Sequence, residues 1–243
     1  MVDAGAERLS AAETPVQQLP LGVRLRERAT FETFQPGANL EPLRHLEGLA
    51  EGQGGIAWIW GPHGSGRTHL LQSVCARAAG GTRSACLSMP ELRPAGGAAL
   101  LGWAGFGALC LDDLDAVVGD AAFERALFSL FLDAQERAAV LVVSAAVAPA
   151  ALPWSLADIG SRFGGSAVFQ IRPLDDEDQV AALRARAAAR GLELPEETAR
   201  YLQRRMPRDM ASLCGVLDAL DTAAMAAQRR ITVPFIREVL GEP

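Results

Sequence analysis

The stretch GIAWIWGPHGSGRTHLL, residues 55–71, decides the fold. Its apolar start predicts a buried strand, the glycines that follow predict a loop, and the pattern from Thr68 onward predicts a helix. Glycines let successive backbone N–H groups curl around a phosphate, and the start of a helix adds partial positive charge there. This order is that of a Walker A loop, and we expect nucleotide phosphates to lie against Gly61, Pro62, His63, Gly64, Ser65, Gly66, Arg67, Thr68 and His69.

The loop departs from the usual motif at one position, because Arg67 stands where a lysine is expected. A lysine ammonium is a compact charge, whereas a guanidinium is a broad planar fork. The chain contains no lysine, and all 23 of its basic residues are arginine. Two interpretations therefore stay open: replacement driven by composition, or a site that binds nucleotide but turns it over poorly.

Polar residues also follow two later apolar runs. Asp112 and Asp113 close ALCLDD in a Walker B pattern, where the first would hold Mg²⁺ through water and the second would orient an attacking water. Thr68 would give its hydroxyl to the same Mg²⁺. Ser144 ends AVLVVS at the sheet edge where open α/β folds bind ligands. The sequence therefore predicts a site for ADP or ATP with Mg²⁺.

Apolar runs alternate with helical patterns through the first two thirds of the chain and then give way to helices alone. Runs that are apolar on both faces are typical of a parallel sheet covered on both sides, and they lie at 55–60, 84–89, 108–113, 139–144 and 167–171. The prediction is an α/β P-loop domain over 24–172, with a five-stranded parallel sheet covered by helices. A small all-α lid domain follows over 173–243, and its first helix is capped at Asp175.

Composition limits the partners. The formal charge of -6 leaves no global positive field for nucleic acid, so we expect no direct sequence-specific DNA binding. The uncharged stretches 95–111 and 138–157 contain glycines or prolines and are not expected to span a membrane. The segment 1–16, predicted to be a flexible tail, lacks a signal core, and four cysteines without CxxC spacing favour a reducing, cytoplasmic location.

The order of these parts resembles the AAA+ ATPases, more narrowly the nucleotide-binding domain of DnaA, and most fully the Hda family. The segments that carry the likeness are TFETFQPG (30–37), GPHGSGRTHLL (61–71), LCLDDLD (109–115), LADIGSRF (156–163), RPLDDED (172–178) and MPRDMASL (206–213).

The resemblance implies roles for residues beyond the loop. Arg162 matches the arginine finger that is aimed at the nucleotide of a neighbouring subunit, although an arginine here could also be a surface salt-bridge residue. Arg208 matches sensor 2, which contacts phosphate. In that family the segment before the first strand packs beside the adenine, which makes Phe31, Phe34 and Gly37 candidates; these aromatics could equally belong to the core.

A short peptide within 17–23 resembles the motif of proteins that dock on the bacterial sliding clamp. It consists of Gln18, Leu19, Pro20 and Leu21, and such peptides lodge a glutamine in a polar notch and leucines in an apolar groove. Gly22 and Val23 depart from the family's continuation. Because the sequence ends after the lid, we expect no helix-turn-helix DNA-binding domain.

The resemblance therefore implies a negative regulator of chromosomal replication initiation. Bound to the DNA-loaded clamp, the β subunit of DNA polymerase III, it would stimulate hydrolysis of ATP held by the DnaA AAA+ domain. It would carry ADP in its own site, associate with the nucleoid through the clamp, and be able to form a homodimer. Two alternatives stay open: a self-sufficient AAA+ ATPase such as a helicase-loader-like protein, and a nucleotide-independent adaptor with a decayed P-loop.

Overall fold

The computed structural model of the protein describes residues 29–207, 209–227 and 229–241. The predicted tail at 1–16, the predicted clamp-binding peptide at 17–23 and the predicted sensor residue Arg208 lie outside these ranges.

A five-stranded parallel sheet forms the larger domain, as predicted. Its order is β2-β3-β4-β1-β5, and every neighbouring pair is parallel. The carboxyl ends of all five strands therefore lie at one edge, where the residues that follow β1, β3 and β4 meet. The strands are β1 (Gly55–Trp60), β2 (Ser84–Ser88), β3 (Ala108–Asp112), β4 (Val140–Ala145) and β5 (Ala167–Gln170).

Helices cover the sheet and form the C-terminal part. In the described residues they are α1 (Leu40–Gly48), α2 (Arg67–Ala78), α3 (Met89–Leu92), α4 (Ala121–Arg137), α5 (Ala157–Gly164), α6 (Asp176–Ala189), α7 (Glu196–Arg205), α8 (Met210–Ala227) and α9 (Val233–Leu240). None of these helices combines the length and the apolar composition needed to cross a membrane.

The two faces of the sheet carry different helices. Strand β1 shows this, because successive side chains of a strand point to opposite faces. Trp58 packs with α4 and α5, whereas Ala57 and Ile59 pack with α1 and α2. The helix that begins in the phosphate loop and the helix that carries Arg162 therefore lie on opposite faces.

Asn39 joins the beginning of the α/β domain to its end. Its side chain donates from Nδ2 to the Arg172 carbonyl at 2.9 Å and accepts the Arg172 N–H at Oδ1 at 2.8 Å. Asn39 is buried, so both hydrogen bonds are shielded from water. They fix the chain where β5 ends and the connection to α6 begins.

The C-terminal helices pack around their own apolar core, which includes Leu183, Leu202 and Leu217. The Asp175 carboxylate caps α6 by accepting the Asp178 N–H at 2.8 Å, as its position in the sequence predicts. This domain also approaches the phosphate loop, because a Cβ added to Gly64 would lie 2.6 Å from the Asp209 Cβ.

Candidate nucleotide site

The loop between β1 and α2 has the shape of a phosphate cradle. Gly64 and Gly66 have φ angles of 78° and 99°, which glycine adopts without the penalty that a Cβ brings. The Ser65 hydroxyl is buried and has no hydrogen-bond partner in the described part of the chain. Since buried polar atoms are rarely left unpaired, curled backbone and an unpaired hydroxyl together fit a phosphate ligand.

The Asp112 carboxylate is the centre of the site. Thr68 Oγ1 donates to its Oδ2 at 2.7 Å, and Ser144 Oγ donates to its Oδ1. Ser144 is fully buried and Asp112 is 9% exposed. The structure thus brings together three residues that the sequence analysis assigned to the same site. The Thr68 hydroxyl and the Asp112 carboxylate supply the oxygen ligands that Mg²⁺ prefers.

The second acidic residue, Asp113, is bound by Arg67. One guanidinium nitrogen lies 3.1 Å from Asp113 Oδ1, and the Arg67 side chain is only 10% exposed. Asp113 has a φ of 51°, and its N–H donates to Ser144 Oγ at 3.0 Å. The pKa of Asp113 is raised, chiefly because the carboxyl is partly buried and also because the Asp112 charge is near; Arg67 opposes this shift.

Arg67 is only partly satisfied by this ion pair. Its other terminal nitrogen, Nη1, is buried and unpartnered among the described residues. A guanidinium has five N–H donors, so the pair leaves donor capacity at the edge of the phosphate loop. The sequence analysis did not foresee that Arg67 and Asp113 pair with each other.

The two histidines of the motif have different surroundings. His63 is exposed in the loop. His69 points toward the segment before α1, where Nε2 lies 2.9 Å from the Thr30 carbonyl. A carbonyl only accepts, so Nε2 carries the proton, and burial lowers the pKa of His69. His69 therefore anchors the N-terminal segment in its neutral form.

The two aromatic residues before α1 also have different surroundings. Phe31 is 4% exposed and belongs to the core, which is the alternative that the sequence left open for it. Phe34 stands against the phosphate loop, since a Cβ added to Gly66 would lie 2.8 Å from its ring. Gly37 has a φ of 49° and lies close to Leu174 at the start of the C-terminal part.

Arg162 lies in the last turn of α5 and is exposed. Its guanidinium carbon is 5.0 Å from the centroid of the Phe128 ring on α4. No carboxylate in the described part of the chain pairs with it, so the salt-bridge interpretation is not realised there. Helix α5 runs back toward the amino end of β5, whereas the phosphate loop follows the carboxyl end of β1. Arg162 therefore lies toward the amino edge of the sheet, on the face opposite α2. The phosphate loop lies at the carboxyl edge and leads into α2.

Sequence reasoning missed several buried polar residues, among them Asn39 and Glu124, which are each 1% exposed. Neither belongs to a recognised motif, and each bonds to backbone groups far away in the chain, which are Arg172 for Asn39 and Ser155 and Leu156 for Glu124. A pattern of residue types carries no signal for such contacts.

Comparison with known proteins supports this reading of the fold. Residues 176–240 match the family model of the Hda lid domain. Domain III of DnaA from Thermotoga maritima superimposes with a TM-score of 0.75 at 20% identity, covering 88% of this chain and 96% of that domain. AMPPCP-bound DnaA from Aquifex aeolicus gives 0.65 at 22% identity, covering 79% of this chain and 64% of that protein. The RuvB Holliday junction branch migration motor of Thermotoga maritima gives 0.58 at 17% identity, covering 81% of this chain and 65% of that protein.

The sheet order, the loop after β1 and the helical domain that follows β5 define an AAA+ fold. The chain spans a little under two thirds of the Aquifex DnaA, and at these identities the solved structures establish the fold alone. Its residues 176–240 are similar to the Hda lid domain. The chain therefore has an AAA+ fold like that of DnaA domain III, followed by helices that match the Hda lid.

The contacts of Asp112 predict a measurable cost for losing one donor. Ser144→Ala removes the hydrogen bond to a buried carboxylate and the acceptor of the Asp113 N–H. We expect the free energy of unfolding to fall by about 1–3 kcal/mol, measured by urea denaturation without nucleotide.

A matched control is Ser129→Ala, because the exposed Ser129 hydroxyl bonds only to a carbonyl of its own helix. That change should stay within about 0.5 kcal/mol. Equal losses for the two variants would contradict a special role of the Ser144 hydroxyl.

Proposed function

We propose that this protein is a negative regulator of chromosomal replication initiation that lends Arg162 to the ATP bound by DnaA. The single observation that carries the proposal is the position of Arg162, which is exposed, supported on an aromatic ring and remote from the chain's own phosphate loop. Its match to the arginine finger of the resemblance supplies the partner. Hydrolysis would leave the initiator in its ADP form.

Arg162 would act by electrostatic stabilisation of the transition state. Negative charge spreads over the γ-phosphate oxygens in the transition state of phosphoryl transfer, and a guanidinium placed there stabilises it. The described residues offer Arg162 no carboxylate that would compete for it. A donor held in place before the partner docks loses little free energy to reorganisation.

The chain's own site would hold ADP or ATP with Mg²⁺. The loop from Gly61 to Gly66 would bind the phosphates, while Thr68 and Asp112 would hold the ion, the carboxylate through water. Bound Mg²⁺ supplies charge neutralisation on the phosphate oxygens. AMPPCP-bound DnaA shares the fold, which agrees with a nucleotide here.

Turnover in that site would be slow, because Arg67 holds the carboxylate that hydrolysis requires. Asp113 follows Asp112 at the end of β3, where the second acidic residue of this motif orients the attacking water. The ion pair at 3.1 Å turns Asp113 toward Arg67 instead. A site that binds nucleotide and does not cycle would keep the nucleotide that it binds, which the resemblance implies to be ADP.

Arg67→Lys tests this interpretation of the site. A lysine ammonium is compact and single, so it would favour the β- and γ-phosphates and release Asp113. We expect basal ATP turnover of the purified protein to rise about tenfold or more, while Arg67→Lys combined with Asp113→Asn stays at the low wild-type rate. Turnover is measured by phosphate release, and bound nucleotide is identified after denaturation.

The two alternatives give other results. Rapid ATP turnover by the wild-type protein alone would support a self-sufficient ATPase. A nucleotide-independent adaptor would retain no nucleotide and would be unaffected by Thr68→Ala.

DNA would be reached through partners rather than by direct sequence-specific contact. The net charge of -6 gives the chain no attraction for phosphate backbone as a whole. Gln18, Leu19, Pro20 and Leu21 would dock on the sliding clamp, which would place the protein on the nucleoid in the cytoplasm. A homodimer is compatible with this scheme.

The central test is Arg162→Ala assayed on DnaA. We expect this variant to lose at least 90% of the stimulation of DnaA-bound ATP hydrolysis in the presence of clamp-loaded DNA, because it removes the group that meets the γ-phosphate. ADP binding and thermal stability should be unchanged, since Arg162 is exposed.

Arg230→Ala is the matched control, because Arg230 is also an exposed arginine, with 85% of its side chain accessible. It should stimulate like wild type. Full stimulation by Arg162→Ala would overturn the proposal.

The predicted clamp peptide has its own test. Gln18→Ala combined with Leu19→Ala should abolish retention on immobilised clamp while ADP binding persists, because the peptide lies outside the nucleotide-binding domain. Glu13→Ala changes a polar residue of the predicted tail, outside the peptide at 17–23, and should be retained. Equal retention of both variants would remove the clamp assignment.

A further inference from the structure

Glu124 is a buried carboxylate that the proposed chemistry does not use. It lies in the first turn of α4 and is 1% exposed. Its Oε1 accepts the N–H groups of Gly119 at 2.8 Å and Ser155 at 3.0 Å, and its Oε2 accepts the N–H of Leu156 at 2.6 Å. Three charge-assisted hydrogen bonds, which are stronger than hydrogen bonds between neutral groups, therefore converge on this one carboxylate.

These bonds fix the beginning of α5, the helix that carries Arg162. Leu156 is the N-cap residue of α5 and has no side-chain oxygen with which to cap the helix. The carboxylate of Glu124 supplies negative charge at this end, where the helix dipole is positive. The start of α5 is thus held by α4 rather than by its own sequence.

Tight packing fixes the rotation of the same helix. Phe163 is fully buried, with its ring centroid 5.2 Å from those of Trp58 and Phe131. A Cβ added to Gly160 would lie 2.5 Å from the Trp154 ring, so the backbone of α5 rests directly on that indole. With its buried side set in this way, α5 points Arg162 to the outside.

Phe128 then supports the guanidinium itself. It is half-buried on α4, one helical turn after Glu124, and the Arg162 guanidinium carbon lies 5.0 Å from its ring centroid. A cation over an aromatic face is attracted to it while its N–H edge stays free to donate. Helix α4 therefore holds the N-terminus of α5 through Glu124 and the guanidinium of Arg162 through Phe128.

We infer that Glu124 and Phe128 are positioning residues that hold Arg162 ready for a nucleotide on another protein. This inference rests on the proposed function of Arg162 and adds the part of the chain that aims it. Helix α4, which contains no nucleotide-binding motif, would thus contribute to the activity of Arg162 on the neighbouring α5.

The experiment measures order and activity separately. The order of the Arg162 side chain is read in the free protein from the heteronuclear NOE of its Nε–Hε pair, which is assigned by its disappearance in Arg162→Lys. Activity is the rate of hydrolysis of DnaA-bound ATP at a saturating concentration of partner. Thermal stability and ADP binding report the folded fraction of each variant.

We expect Phe128→Leu and Glu124→Gln to lower the Arg162 NOE and to reduce the saturated rate about tenfold, with less than a twofold change in the concentration that gives half of the effect. Phe128→Tyr retains the ring and should restore both. A purely structural role for Phe128 would leave the NOE unchanged, with any loss of rate matching the loss of folded protein.

Two control variants make equivalent changes elsewhere. Phe106→Leu removes another arginine–aromatic contact, in which the Arg83 guanidinium carbon lies 4.4 Å from the ring centroid. Glu136→Gln changes an exposed glutamate of the same helix. Both controls should behave like wild type.

The outcomes separate this inference from the proposed function. If Arg162→Ala stimulates fully, the proposed function fails, and the NOE still decides whether α4 orders Arg162. If Arg162→Ala is inactive but Phe128→Leu and Glu124→Gln keep wild-type rate and NOE, only the positioning inference is overturned. Should Glu124→Gln not fold, the comparison of Phe128→Leu with Phe128→Tyr decides alone.

Discussion

One buried carboxylate holds the candidate nucleotide site together. Asp112 accepts a hydrogen bond from Thr68 at the start of α2 and another from Ser144 on β4, while its own backbone belongs to β3. Burial makes each of these bonds stronger and the loss of one more costly. The site therefore depends on the registration of two strands and one helix.

The neighbouring carboxylate shows how one position can change the use of a site. The hydroxyl groups that hold Asp112 leave it available to an ion, whereas Asp113 is neutralised by the guanidinium of Arg67. Burial raises the pKa of Asp113, and the ion pair with Arg67 opposes that shift. A lysine-free composition favours arginine at this position, and the structure gives that arginine a partner. The two interpretations of Arg67 are therefore compatible with each other.

Patterns in the sequence could predict the parts of the fold whose cause is local. The apolar run of β1 and the glycines after it predict a strand and a loop, and Asp175 predicts the start of α6. These features depend on neighbours in the chain. The contacts of Asn39, the Arg67–Asp113 pair and the burial of Glu124 could not be predicted, because each joins residues that only the tertiary fold brings together. Phe31 and Phe34 could be predicted only in part. Their type indicated an aromatic contact, but it did not indicate which of the two would belong to the core.

The arrangement of the sheet explains how one chain could hold a nucleotide and act on another. Parallel strands send their carboxyl ends to one edge, so the loop after β1 and the residues after β3 and β4 collect there. The connection from β4 to β5 must return to the opposite edge before β5 can begin, and α5 makes that return on the face opposite α2. An arginine at the end of α5 is thereby excluded from its own site by topology alone. What topology does not provide is a fixed direction for a long side chain, and the contacts of α4 to α5 supply that direction through a buried carboxylate and an aromatic surface.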